Sequence, residues 1–291
     1  MMLHSRRSLR LAALTVAAVL GLAACGGGSP SGGGGGGGGG AEFSTIQSGT
    51  LTIGSDIPYP PFEMQQGGSV TGFDVEIMNQ IAKGLGLKPK WLNTNFDTIF
   101  TSLAAGKFDV VASAVTAYAP KGSPAYSTVQ QRSKIVDFSK PYYPSLQSLT
   151  VDTEANPNIK TVDDLSSGDK VGVQRGTTGA YYAEKALGGK GVELVTYVKA
   201  PDIFTAIQSG QLDAGVVDLP VALDAIKSKP GLQVVQQIDT GEQYAFAVNK
   251  NNPGLRDAIN QQLQKMFKDG SYAKVYKKYF PQQELPSYAQ P

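Results

Sequence analysis

The chain has 291 residues, 41% hydrophobic and 17% charged, enough apolar material for one or two domains with proper cores. Its 26 Lys and Arg against 24 Asp and Glu give a formal charge of +2, a balance that does not point to nucleic acid. The single histidine, His4, and the single cysteine, Cys25, both fall in the first 25 residues. The remainder therefore cannot host a Ser-His-Asp or Cys-His nucleophile, or a zinc site built on histidine or cysteine.

Residues 1–25 begin with Arg6, Arg7 and Arg10 and continue as an apolar stretch ending in small residues. The stretch is too short for a comfortable membrane span and has the layout of an export signal. Leu22-Ala23-Ala24-Cys25 resembles the lipobox of bacterial lipoproteins, which implies removal of residues 1–24 and lipidation of Cys25. "SRRSLRL" also resembles a twin-arginine signal. Removing the three leader arginines leaves 23 basic residues against 24 acidic ones, a formal charge of −1. "GGGSPSGGGGGGGGG" (26–40) is a Gly/Ser linker whose ends as a random coil would lie on the order of 20 Å apart. Residues 25–43 thus read as a lipidated cysteine and a flexible tether.

From Leu51 onward, short β-type runs alternate with helical patterns, which predicts an α/β body with parallel sheets. "TLTIGSD" is a strand. "GFDVEIMNQIAKGLGLK" is a helix with Val75, Met78, Ile81, Ala82 and Leu85 at near-helical spacing. "DTIFTSLAAG" is a short helix stopped by Gly106, followed by a strand over "FDVVASAVT". The run around "AYAPKGSPAYS" reads as a surface loop. Gly176-Thr177-Thr178-Gly179 follows the strand "KVGVQ" and opens the helix "AYYAEKAL". Backbone N–H groups at such a helix start suit an anion, although a plain helix cap has the same appearance, and the Walker pattern for nucleotides is missing.

One unit recurs. "TIFTSLAAGKFD" (98–109) aligns without gaps on "DIFTAIQSGQLD" (202–213), matching Gly106 with Gly210 and Asp109 with Asp213. A helix, a glycine, an acidic residue and a buried strand therefore occur twice, which predicts two similarly built lobes. The ends of the two strands, Ala114 and Asp218, are equivalent. Asp109 and Asp213 read as braces within their lobes. Ligands of open α/β sheets bind beyond the carboxyl ends of strands, where Asp218 lies, although a strand-end aspartate also commonly caps the next helix.

The run Gly72-Phe73-Asp74-Val75-Glu76-Ile77, with "SDIPYPPFE", "KIVDFSKPYY" and "KDGSYAKVYKKYF" in order, resembles the polar amino-acid family of extracytoplasmic solute-binding proteins that feed ABC importers. The resemblance covers roughly residues 49–281. It implies a two-lobed periplasmic-binding-protein-like fold, each lobe a mostly parallel sheet flanked by helices, with two crossovers at the hinge. Lobe 1 would comprise 44–143 and 240–285, and lobe 2 would comprise 144–239. It further implies a monomer that grips a free amino acid, docks on ABC permease subunits and is held to the extracytoplasmic side of the cell membrane by lipid. No cofactor, metal, nucleic acid or catalytic residue is implied.

The family's site carries over residue by residue. Arg132 matches the arginine that pairs with the ligand α-carboxylate, a task suited to the guanidinium fork. Thr116 matches a residue whose hydroxyl and N–H meet the same carboxylate, and Gly176, Thr177 and Thr178 match the carboxylate-binding turn. Asp218 matches the α-ammonium partner. Asp56, Tyr59 and Phe96 match positions lining the side-chain end, where Asp56 favours a cationic or amide group and Arg175 opposes a cation. Phe62 and Trp91 have no assigned role. The loop between Thr116 and Arg132 departs from the family pattern by roughly ten residues. Two alternatives remain: a cyclohexadienyl dehydratase on the same fold, with Glu63 or Asp56 as general acid, and a ligand sensor partnered with a membrane receptor.

Overall fold

A computed structural model describes residues 42–290, so the export signal, Cys25 and the glycine-rich run lie outside the described residues. The body opens with strand β1 (Thr50–Ser55), a hairpin of β2 (Met64–Gln66) and β3 (Ser69–Thr71), and helix α1 (Phe73–Gly84). α1 buries Val75, Met78, Ile81 and Ala82, the face its apolar spacing marks out. β4 (Lys88–Asn93), α2 (Phe96–Ala104) and β5 (Val110–Val111) follow, then β6 (Thr116–Tyr118), α3 (Tyr126–Ile135) and β7 (Asp137–Phe138). The chain continues through β8 (Tyr143–Asp152), β9 (Lys170–Gln174), α4 (Thr178–Leu187), β10 (Glu193–Tyr197), α5 (Ala200–Gln208), β11 (Ala214–Asp218) and α6 (Leu219–Ala225). It ends with β12 (Leu232–Tyr244), β13 (Ala247–Val248), α7 (Pro253–Lys268) and α8 (Ser271–Tyr279).

Two main sheets organise these elements, a five-stranded one of order β4-β1-β5-β13-β7 and a six-stranded one of order β10-β9-β11-β8-β12-β6. At the heart of each lies a parallel trio made the same way: β1 between β4 and β5, and β9 between β10 and β11. The remaining strands are antiparallel, so each sheet is mixed. The sequence repeat falls on this duplicated unit. Gly106 and Gly210 both have φ near +72°, the left-handed geometry that ends α2 and α5 and is open to glycine without strain. Asp109 N–H donates to Thr52 O and Asp213 N–H to Lys170 O, each at 2.9 Å, joining the new strand to the parallel strand beside it.

β8 and β12 lie side by side, with Tyr143 opposite Tyr244 in register. Residues 139–142 and 245–246 then carry the chain between the sheets, paired by Ser139 N–H to Phe246 O and Tyr142 N–H to Tyr244 O. Around this junction Phe62, Phe73, Tyr143, Tyr244 and Phe280 form a cluster with centroids 4.8–6.1 Å apart, mostly edge-to-face or tilted, with Tyr143 stacked on Tyr244. Phe62 therefore belongs to the core, and Trp91 packs at its margin with its indole N–H on Asn79.

Two local features differ from the sequence reading. The strand expected over "FDVVASAVT" breaks after Val111, because Ala114 adopts φ +46° and turns its N–H onto Asp74 Oδ2 at 3.0 Å. β6 pairs with the last residues of β12, Gln243 and Tyr244. The surface loop is shorter than expected, because its last residues and the segment carrying Arg132 form α3. Only Thr128, Val129 and Arg132 of α3 are buried, so it lacks the apolar stripe that would have announced it.

Candidate functional site

The C-terminal ends of the two parallel trios face each other, and a narrow cavity with about 10 Å³ of free space lies between them. Eight of the nine expected binding residues line it: Asp56, Tyr59, Phe96, Thr116, Arg132, Thr177, Thr178 and Asp218. Gly176 does not line it but touches it indirectly, through its carbonyl.

At one pole stands Asp218, the last residue of β11, 7% exposed. Its side chain does not cap α6. Instead Oδ2 accepts from Tyr59 at 2.7 Å and from Tyr244 at 2.5 Å, while Oδ1 accepts from the Gln147 amide. Burial pushes its carboxyl up to about 6, the neighbouring Glu242 adds to the rise, and the phenol and amide donors pull back.

At the other pole stands Arg132, 5% exposed. Its Nη1 donates to Thr116 O at 2.8 Å and its Nη2 to Gly176 O at 3.1 Å, linking the two sides of the cleft. Its carbon Cζ sits 5.2 Å from the Phe96 ring centroid and 5.0 Å from that of Phe100, so the guanidinium stacks on the face of α2. Burial lowers its pKa to about 10, still far above neutrality. A guanidinium has five N–H donors, and two are spent here. The rest are available to a carboxylate.

The turn 176–179 does two jobs. Thr177 is the N-cap of α4, its hydroxyl accepting from Ala180 N–H at 3.1 Å, so the helix-cap reading holds for that side chain. Thr178 points its hydroxyl to Glu242 at 2.8 Å, and the Thr116 hydroxyl also donates to Glu242. The Thr116 hydroxyl proton, expected to face an incoming carboxylate, is thus engaged within the protein, as is that of Thr178. Arg132 and backbone N–H groups remain for the anion.

Toward the far end, Asp56 at the end of β1 is 1% exposed. Its carboxylate accepts from Lys199 Nζ and, at 2.5 Å, from Gln174 Nε2. Burial raises its pKa, and the Lys199 ammonium opposes the rise. Arg175 sits at the rim, paired with Asp97 at 3.3 Å and half exposed, and does not line the cavity.

Four participants escaped the sequence reading: Glu242, Gln147, Tyr244 and Lys199. Glu242 is buried and receives four hydrogen bonds, from Thr116, Thr178, Gln147 and Thr240. Its only sequence signal is an acidic residue two positions before the apolar run "YAFAV", and Gln147 carries none. The remaining aspartates are braces: Asp109 accepts from Ile46 N–H and Thr52 N–H, both at 2.7 Å, and Asp213 from Lys170 N–H at 2.8 Å. Glu63, considered as a general acid, is fully buried beside Asp74 and does not line the cavity. Among the described residues no group of His, Cys, Asp and Glu is arranged to hold a metal ion.

Two mixed α/β lobes with a polar, charge-separated cavity between the ends of their parallel strands define a two-lobed solute-binding protein. The chain belongs to the bacterial extracellular solute-binding proteins, family 3, whose family model matches residues 51–282. It is 34% identical over 236 residues to the L-cystine-binding protein TcyJ of Escherichia coli strain K12, covering 80% of this chain and 84% of that protein. Among solved structures it resembles an ancestral arginine-binding protein bound to arginine, with TM-score 0.73 and 37% identity over 80% of this chain and 98% of the other. It also resembles an ancestral amino acid-binding protein described as a precursor of cyclohexadienyl dehydratase, with TM-score 0.69 and 36% identity over 80% of this chain and 95% of the other.

Proposed function

We propose that this protein captures a free polar amino acid between its two lobes and delivers it to the membrane subunits of an ABC importer. The observation that carries the proposal is the pair of opposite charges in one cavity, Arg132 and Asp218, each buried, aromatic-flanked and aimed at the same space. An amino acid zwitterion complements both. Burying its ammonium and carboxylate is favourable only when each meets a counter-charge and hydrogen bonds. Asp218 receives the ammonium. Arg132, with N–H groups near Thr116 and the 177–178 turn, receives the carboxylate. We place one lobe in residues 44–143 and 240–285 and the second lobe in 144–239. Because the ligand needs groups from both lobes, it selects the closed arrangement.

We read the chain as a binding protein without catalysis. Support comes from the two candidate acids: Glu63 is walled off from the cavity, and Asp56 is held by Lys199 and Gln174. It acts as a monomer exported from the cell and tethered by lipid on Cys25. A thermal-shift screen over the common amino acids tests the capture reading, since a ligand present at 100 times its Kd stabilises the fold by about 2.7 kcal/mol. At least one polar amino acid should raise Tm, and Arg132→Ala should abolish the rise while keeping the far-ultraviolet dichroism of the parent. A screen with no response would refute the proposal.

A further inference from the structure

Capture by Arg132 and Asp218 leaves Lys199 without a role, yet its ammonium reaches Asp56, which lines the far end of the cleft. Lys199 follows β10 and is the N-cap of α5, in the lobe of the six-stranded sheet. Asp56 ends β1 in the other lobe. The Lys199 ammonium donates to Asp56 Oδ1 and lies 3.4 Å from Asn93 Oδ1, while Gln174 Nε2 donates to Asp56 Oδ2 and, at 3.0 Å, to Val198 O. The lysine side chain is 23% accessible and the aspartate 2%, so the ammonium approaches from the solvent side and the carboxylate turns inward, where it lines the cavity.

This arrangement changes what a ligand side chain meets. A solitary buried carboxylate would attract a cation. Here its charge is already matched from inside the protein, and each oxygen already accepts one strong hydrogen bond. An arriving ammonium or guanidinium would have to displace Lys199 or lie beside it, a like-charge contact in a site of low dielectric. An uncharged end with both donors and acceptors meets no such conflict. It can donate to the unused lone pairs of Asp56 without bringing a second positive charge beside Lys199.

We propose that Lys199 sets the side-chain class of the ligand, neutralising Asp56 across the cleft so that the site takes amino acids with uncharged amide or ureido ends and discriminates against cationic ones. The inference rests on the capture of an amino acid proposed above. Titration calorimetry on the full-length chain, with glutamine, asparagine and citrulline against arginine, lysine and ornithine as probes, tests it. The tightest ligand should come from the first set, by about tenfold or more. In Lys199→Met, arginine should gain about tenfold relative to glutamine, and adding Asp56→Asn should remove that gain. Lys199→Gln serves the same comparison should the methionine variant not fold. A wild-type preference for a cationic, acidic or apolar amino acid, or an arginine-to-glutamine ratio unmoved in the lysine variants, would overturn the proposal while leaving amino-acid capture standing. Binding of no amino acid at all would instead remove the capture reading on which it depends.

Discussion

At the scale of single residues, the cleft concentrates titratable groups whose environments push them in different directions. Asp218 is the clearest case, raised to about 6 from an ordinary 3.8 by burial and by Glu242. A folded-state value above the unfolded one means that the folded chain holds the proton more tightly between these two pH values. Stability contributed by this group therefore grows as pH falls through that window, relative to neutral pH. Binding runs the opposite way, because an ammonium needs the ionised carboxylate. Ligand affinity is expected to drop as pH falls below about 6, by at most about tenfold per pH unit. Calorimetry between pH 5 and 8 checks this, and an affinity flat across that range would show that Asp218 is not the ammonium partner. Asp218 was legible in the sequence, since an acidic residue ends a buried strand whose twin ends in Ala114. Its tuning was not, because Tyr59, Gln147 and Tyr244 arrive from three distant segments.

At the scale of elements, the duplicated helix-glycine-strand unit explains why two carboxylates at equivalent positions stay out of the cleft. Asp109 and Asp213 each fix the start of a strand to its parallel neighbour, but with unequal investment. Asp109 is 5% exposed and satisfies the backbone N–H groups of Ile46 and Thr52 together with the Thr52 hydroxyl, whereas Asp213 satisfies the N–H of Lys170 in a more exposed setting. Removing a buried acceptor strands its donors at about 1–3 kcal/mol. Asp109→Ala should therefore lower unfolding stability by about 2–3 kcal/mol and Asp213→Ala by about 1 kcal/mol, with ligand affinity changed less than about threefold in each. Urea titration and calorimetry measure the two quantities. Equal destabilisation, or a large loss of affinity, would argue against the brace. The repeat itself was visible in ungapped matches. Helix α3 was not, since its inward residues are a threonine, a valine and an arginine, and no apolar periodicity distinguishes such a helix from a polar loop.

At the scale of the whole molecule, side-chain contacts span the cleft in which capture is proposed. Arg132 touches carbonyls on both sides of the cleft, and Glu242, at the end of β12, joins Thr116 to Thr178. Among the described residues no helix is long and apolar enough to cross a membrane, and the proposed attachment is through lipid on Cys25. In a bacterial host, wild-type protein should fractionate with membranes and incorporate labelled fatty acid, and Cys25→Ser should do neither while keeping its ligand response. Label retained in Cys25→Ser would refute lipidation at that residue.

The sequence by itself determined what local chemistry can encode: the alternation of strand and helix, the duplicated unit, and which residue types cannot be present for catalysis. The resemblance to the family also marked eight residues that line one cavity, among them Asp218 at a strand end and Thr178 at a helix start. Only the tertiary structure decided what those residues are free to do. The Thr116 and Thr178 hydroxyls are engaged by Glu242, Asp56 is matched by Lys199, and Arg132 is stacked on α2. These pairings join residues separated by 32 positions, Arg132 and Phe100, to 143 positions, Lys199 and Asp56, along the chain. Charge complementarity between them depends on how the two lobes meet, which no local spacing records.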